Sequence, residues 1–122
     1  MKFTIPLTPV TKKNHGQIIY CKGKPIMIPS KPYLQYEKDC GWYMPKGKPI
    51  DYRVNVKAIY YMPTKRRVDK TNLEAAILDI MVKYGVLSDD NSNIVAGTDG
   101  SRVLYDKNNG RTKITITEME GE

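Results

Sequence analysis

Apolar and polar residues alternate at several places along the chain, and each alternation predicts an extended segment, because successive side chains of a strand point to opposite faces. Residues 2–8 (KFTIPLT) read as one strand, and the final RTKITITEME reads as another. The run 52–62 (YRVNVKAIYYM) is the strongest, being rich in β-branched and aromatic residues that suit a half-buried pleated surface. In GQIIYCKGKPIMIPS, two short apolar runs flank Lys22-Gly23-Lys24, which predicts a hairpin. VLSDDNSNIVAG and SRVLYD read as further extended pieces, and Thr11-Lys12-Lys13-Asn14-His15-Gly16 as a basic loop.

Two stretches change period from two to about 3.6. Ser30 is the expected N-cap of a first helix with Pro32 in its first turn. That helix would carry Tyr33, Tyr36, Cys40 and Tyr43 along one side and end before Pro45. The second helix, from about Asn72 to Tyr84, places Leu73, Ala76, Ile77, Ile80, Met81 and Tyr84 on a core-facing stripe. Thr71-Asn72-Leu73-Glu74 matches a capping box at its start, and Gly85 is the expected residue just past its end. Ala75, Leu78 and Val82 lie on the opposite side. A helix apolar on both sides is buried between two layers or contributes to a subunit interface.

At 122 residues the chain is expected to form one domain over residues 1–122. No apolar run approaches the ~18 residues of a membrane span, and MKFTIPLTPVTKKN has no apolar stretch long enough for a signal peptide. Cys21 and Cys40 lie in no metal-ligand spacing and read as two reduced thiols of a cytosolic protein. One histidine, His15, excludes His-rich metal chemistry. Nine Tyr against one Phe and one Trp suit sheet packing, with base stacking as the rarer role.

Charge divides the chain. Residues 1–68 carry fourteen Lys/Arg against three acids, a balance of +11, whereas residues 69–122 carry six against ten, a balance of −4. Four aspartates, Asp69, Asp79, Asp89 and Asp90, surround the second helix. Cations that gather phosphates beside carboxylates that hold a divalent ion are what a metal-dependent enzyme acting on a polyanion requires. The helix is roughly 20 Å long at 1.5 Å per residue, which separates Asp69 from Asp89 and Asp90. If Gly85 reverses the chain, Val86 to Asp90 in extended form cover about 17 Å, enough to return Asp90 toward Asp69. Asp79, about 10 Å along the helix from Asn72, would support such a site. Mg²⁺, with Mn²⁺ as the alternative, accepts one or two carboxylates and fills its remaining positions with water and substrate phosphate.

Each acid also has a structural reading. Asp69 could simply favour the helix N-terminus, and Asp79 could pair with Lys83 at i,i+4. Asp89-Asp90-Asn91-Ser92-Asn93 could be a polar turn. It is not a calcium loop, because the sixth position is Ile94 and the twelfth is Gly100.

Strand, basic Lys65-Arg66-Arg67 loop, Asp69 and Asn72-Leu73 at the helix start, Asp79 within it, Gly85 near its end and then Asp89-Asp90: this order resembles the RusA family of Holliday junction resolvases. The resemblance covers about residues 60–95. It implies an α+β fold, a small mixed sheet packed by two main helices, assembled as a homodimer that cuts four-way DNA junctions with Mg²⁺. It also implies the cytoplasm of a bacterial cell, in a protein encoded by a prophage or phage. Asp69 and Asp90 would be the catalytic acids with Lys70 beside them. Asp69, Asp79, Asp89 and Asp90 would be the metal ligands and Asn72 their support. Lys12, Lys13, Lys65, Arg66, Arg67 and Lys70 would grip the DNA backbone. Two departures stand out: the family commonly has a second Asp where this chain has Thr71, and often a Lys where it has Ala75. The competing expectation is a non-catalytic DNA-binding relative that has lost metal-dependent cleavage. A basic phage structural protein would leave the acid cluster without a purpose.

Overall fold

A computed structural model describes residues 1–11 and 16–120. In chain order the elements are β1 (Lys2–Ile5), β2 (Gln17–Cys21), β3 (Lys24–Ile28), α1 (Lys31–Cys40), β4 (Val54–Met62), α2 (Lys70–Lys83), β5 (Val95–Gly97), β6 (Arg102–Tyr105) and β7 (Arg111–Glu118). This is the α+β architecture expected, with two helices on one mixed sheet. Its strands run β1-β7-β4-β5, with β6 also on β4, and β2 and β3 form a separate two-stranded sheet. β7 is antiparallel to β1 and β4, whereas β5 and β6 are parallel to β4.

The alternation in β4 sets the core. Val54, Val56, Ala58 and Tyr60 are buried, as are Thr112, Ile114 and Ile116 of β7 and Ile5 of β1. Tyr33, Tyr36 and Cys40 of α1 join them, as do Leu73, Ala76, Ile77, Ile80 and Met81 of α2. Each such large apolar side chain contributes about 1.5–3 kcal/mol when fully buried. β4 is the long central strand, but its outer edge is served by two short ones: β5 pairs at Val54–Asn55 and β6 at Ile59–Met62. Between them the Ser101 hydroxyl closes the gap, accepting from Ala58 N at 3.0 Å and donating to Val56 O at 3.4 Å.

Local chemistry accounts for most element ends. Ser30 caps α1, its Oγ accepting from Tyr33 N at 3.3 Å. α2 ends in a Schellman motif, with Gly85 at φ 76°, Val86 N donating to Met81 O at 2.9 Å and Gly85 N to Val82 O at 3.1 Å. The hairpin turn is Lys22-Gly23, at φ 52° and 79°, as the primed turns of two-residue hairpins require. The hairpin leaves Ile18, Tyr20 and Met27 exposed.

Three expectations need correction. Tyr43 is not on the buried side of α1: the chain tightens into a 3-10 turn over Gly41–Tyr43, Tyr43 is exposed, and Met44 takes the core position. The second helix begins at Lys70, and its cap is Asp69 rather than Thr71. Glu74 does not reach back to close a capping box, because its carboxylate is taken by Lys70 Nζ at 2.9 Å. Of the outer residues of α2, Leu78 and Val82 pack at the border of the core, and Ala75 is exposed. No helix among the described residues is long and apolar enough to cross a membrane. Both cysteines are free thiols.

Candidate functional site

The start of α2 builds the first half of the site. Asp69 has extended backbone (φ −84°, ψ 115°), and its Oδ1 accepts from Thr71 N at 2.9 Å. Its carbonyl accepts from Asn72 N at 3.1 Å and Leu73 N at 3.2 Å. The acid thereby sits where backbone N–H groups converge and the helix dipole favours negative charge. Asp69 Oδ2 has no hydrogen-bond partner among the described residues. Asp69 lines a cleft of about 500 Å³ whose walls also include Thr8, Thr11, Arg66, Arg67 and Asn72. One exposed carboxylate in a cleft that two arginines also line suits a phosphodiester: the cations can hold the non-bridging oxygens while the acid remains available to a cation of its own.

The second half lies toward the other end of the helix. After Gly85 the chain does reverse, but Val86 to Asp90 does not run back extended along α2. Ile50 N donates to Val86 O at 2.9 Å and Ser88 N to Ile50 O at 2.9 Å, so this segment joins the sheet edge at a bridge between Ile50 and Leu87. Side-chain turns follow, with Asp89 Oδ1 accepting from Asp90 N at 2.7 Å and Asn91 Oδ1 from Asn93 N at 2.9 Å. Ile94 O then accepts from Val54 N at 2.8 Å, tying the segment to the beginning of β4. Partial burial, then a hydrogen bond with the Asp89 side chain, then the negative charge of Asp79 raise the Asp90 carboxyl above its ordinary value.

Asp79, Asp89 and Asp90 therefore share one electrostatic neighbourhood. Asp69 heads the opposite end of α2, ten residues or about 15 Å of helix axis from Asp79. Among the described residues, no three His, Cys, Asp or Glu side chains stand close enough together to hold one metal ion.

Among the cations, Arg66 and Arg67 line the Asp69 cleft. Lys65 lies over the Tyr105 ring, 5.2 Å from its centroid. Lys70 is drawn along the helix to Glu74, and Lys83 pairs with Glu37 of α1. Lys12 and Lys13 lie outside the described residues. Sequence reasoning missed Thr8 and the buried Thr11 as cleft walls. Neither carries charge or spacing that would mark it, although Thr11 opens the basic loop singled out above.

Residues 6–117 match the family profile described as "Endodeoxyribonuclease RusA". The "Crossover junction endodeoxyribonuclease RusA" of Aquifex aeolicus (strain VF5) is 31% identical over 86 residues, which cover 68% of this chain and 66% of that protein. The chain thus spans just under two thirds of the length of this relative.

Proposed function

The chain belongs to the RusA endodeoxyribonuclease family, and on that premise we propose that it is a Mg²⁺-dependent endonuclease that resolves four-way DNA junctions by paired nicks. The observation that carries this reading is the Asp69 cleft. A carboxylate with one oxygen uncommitted at a helix N-terminus lines that cleft together with Arg66 and Arg67. Asp90 adds a second carboxylate whose charged form is disfavoured by burial first and by the Asp89 and Asp79 side chains after it, and a bound cation would favour that form.

These donors fit a hard divalent ion, which needs only one or two carboxylates when water and phosphate complete its shell. Asp69 and Asp90 would hold it, with Asp79 and Asp89 adjusting the charge around Asp90. When bound, the ion supplies charge neutralisation at phosphorus and a lowered pKa for water. Arg66 and Arg67 orient the scissile phosphate. Asn72, on the cleft wall beside Asp69, steers a water.

The reading includes a homodimer. A two-fold axis across the exposed flank of α2 would set the helix N-terminus of one protomer against the C-terminal half of the helix in the other. Asp69 of one copy would then meet the Asp79–Asp89–Asp90 end of its partner. Two equivalent sites on opposite sides of a two-fold suit two opposed strands of a near-symmetric junction.

A non-catalytic DNA-binding relative is the second reading, favoured by Thr71 in the family's second Asp position and by the absence of a three-acid group among the described residues of one protomer. A labelled four-way junction incubated with and without Mg²⁺ separates the two. Cleavage predicts paired, metal-dependent nicks that Asp90→Asn abolishes. Mere binding predicts a salt-sensitive mobility shift and no nicks from either protein.

A further inference from the structure

The sheet face turned away from the helices has no place in the site described above, yet every charged side chain at its outward strand positions is basic. β-Strand alternation and the observed register place its residues. Lys57 of β4 pairs with Thr115 of β7, which pairs in turn with Lys2 of β1. Ile59 of β4 lies between Arg102 of β6 and Lys113 of β7. Since Val56, Ala58 and Tyr60 point into the core, their neighbours Lys57, Ile59 and Tyr61 point outward. Lys2, Lys57, Arg102, Arg111 and Lys113 therefore share one face, and no outward strand position on it is acidic.

Two contacts give this face a fixed shape. The Arg111 guanidinium lies 3.7 Å from the Tyr61 ring centroid and bonds to Asp106 Oδ2 at 2.8 Å, so its charge is already countered. A Cβ on Gly100 would come within 2.8 Å of Lys57 Cδ, so the Lys57 stem packs against that turn. Among the described residues the other four cations form no ion pair, and Lys113 lies 5.6 Å from the same Tyr61 ring. All four are exposed, and Lys57, Arg102 and Lys113 lie on three adjacent strands that span about 10 Å. A second copy of the chain is a poor occupant, because face-to-face packing would stack like charges. The complementary occupant is a polyanion whose charges repeat along a flat track.

We propose that this outer sheet face is a second DNA-contact surface, which holds the phosphate backbone of an arm of the branched substrate other than the strand being cut. The inference rests on the nuclease reading for the identity of the polyanion. The acid-bearing helix and the basic face lie on opposite sides of the sheet. A linear duplex engaged at the cleft therefore does not reach this face, whereas a four-way junction has further arms to offer.

The test compares wild type with the triple variant Lys57→Gln/Arg102→Gln/Lys113→Gln on a four-way junction and on a linear duplex, over a range of salt. Each lost phosphate contact lowers the slope of log K against log salt by about 0.9, so the junction slope is expected to fall by about 2–3. Junction affinity at fixed salt should weaken at least about tenfold. Nicking at saturating junction with Mg²⁺ should equal wild type, and duplex binding should change little. Unchanged junction affinity and slope, with wild type nicking normally, overturn this inference and leave the nuclease reading intact. Wild type that neither binds nor nicks the junction overturns both.

Reductive methylation of wild-type protein, read by mass spectrometry, needs no variant. Lys57 and Lys113 are expected to be protected by bound junction and not by duplex. Equal modification with and without junction also overturns the proposal.

Discussion

Asp79 and Asp90 lie within electrostatic range of one another, on α2 and on the segment that follows it. With partial burial and the Asp89 hydrogen bond as the larger causes, the Asp90 carboxyl is held above its ordinary value. A carboxyl raised in the folded state contributes stability below its unfolded pKa, and that contribution is lost as pH rises through the folded pKa. At neutral pH the metal-free protein therefore carries an ionised Asp90 that its burial and its acidic neighbours disfavour. Asp90→Asn is expected to raise the Tm of the metal-free protein slightly at pH 7, and the advantage should vanish toward pH 4. Mg²⁺ or Mn²⁺ should raise the Tm of wild type through preferential binding to the folded state, and should not raise that of the variant. Thermal melts at three pH values, with and without metal, check both outcomes.

The placement of Asp69 and Asp90 toward opposite ends of α2 makes a distinctive demand on a dimer. If each site combines Asp69 from one protomer with Asp90 from the other, Asp69→Asn and Asp90→Asn are each inactive alone. Mixed and allowed to exchange subunits, they form heterodimers with one site doubly altered and one wholly native. Nicking of one strand should reappear in the mixture at up to about a quarter of the wild-type site concentration, since half the dimers are mixed and each restores one of two sites. A mixture as inactive as its components would place both acids in one protomer.

Thr71 follows the Asp69 cap by two residues and its side chain is exposed. Thr71→Asp would add a carboxylate to the first turn of α2, where the helix dipole favours negative charge by about 0.3–1 kcal/mol. The variant is expected to melt no lower than wild type and to reach half-maximal nicking at a lower Mg²⁺ concentration. A metal titration of the nicking rate tests this. A higher metal requirement would show that Thr71 lies away from the ion.

Packing between the helices offers a test independent of function. A Cβ on Gly41 would come within 2.6 Å of the Tyr84 ring, and that ring is anchored by its hydroxyl, which donates to Glu37 O at 3.0 Å. Gly41 has ordinary right-handed backbone (φ −57°), so Gly41→Ala gains helix propensity while forcing the ring to move. Overpacking should dominate, with a net loss of about 1–3 kcal/mol in denaturant unfolding. Tyr84→Leu in the same background is expected to recover part of the loss.

Much of this fold could be read from the chain because local signals agreed with one another. The alternation of β4, the Ser30 cap and the Gly85 terminus each appear where periodicity and capping chemistry place them. The start of α2 was less legible. Asp69 and Thr71 are both good caps, and the choice turned on Glu74, which a capping box needs and Lys70 occupies. The course of residues 86–94 was the largest departure. Its spacing allowed an extended return along the helix, but two side-chain turns at Asp89 and Asn91 and a parallel bridge to Ile50 won instead. Parallel partners lie far apart in sequence, and alternation alone does not identify them. The basic outer face escaped notice for a similar reason: its cations come from four strands and converge only once the register is known.

The two thiols differ in a way that has practical use. Cys40 is buried against α1's neighbours and its thiol is pushed up to about 12 by burial, whereas Cys21 is exposed at the end of β2. A maleimide dye should therefore attach to the unaltered polypeptide at a single position, on the β2–β3 hairpin, without any engineering of the sequence. Fluorescence from that reporter would follow how the hairpin's surroundings change as DNA arrives.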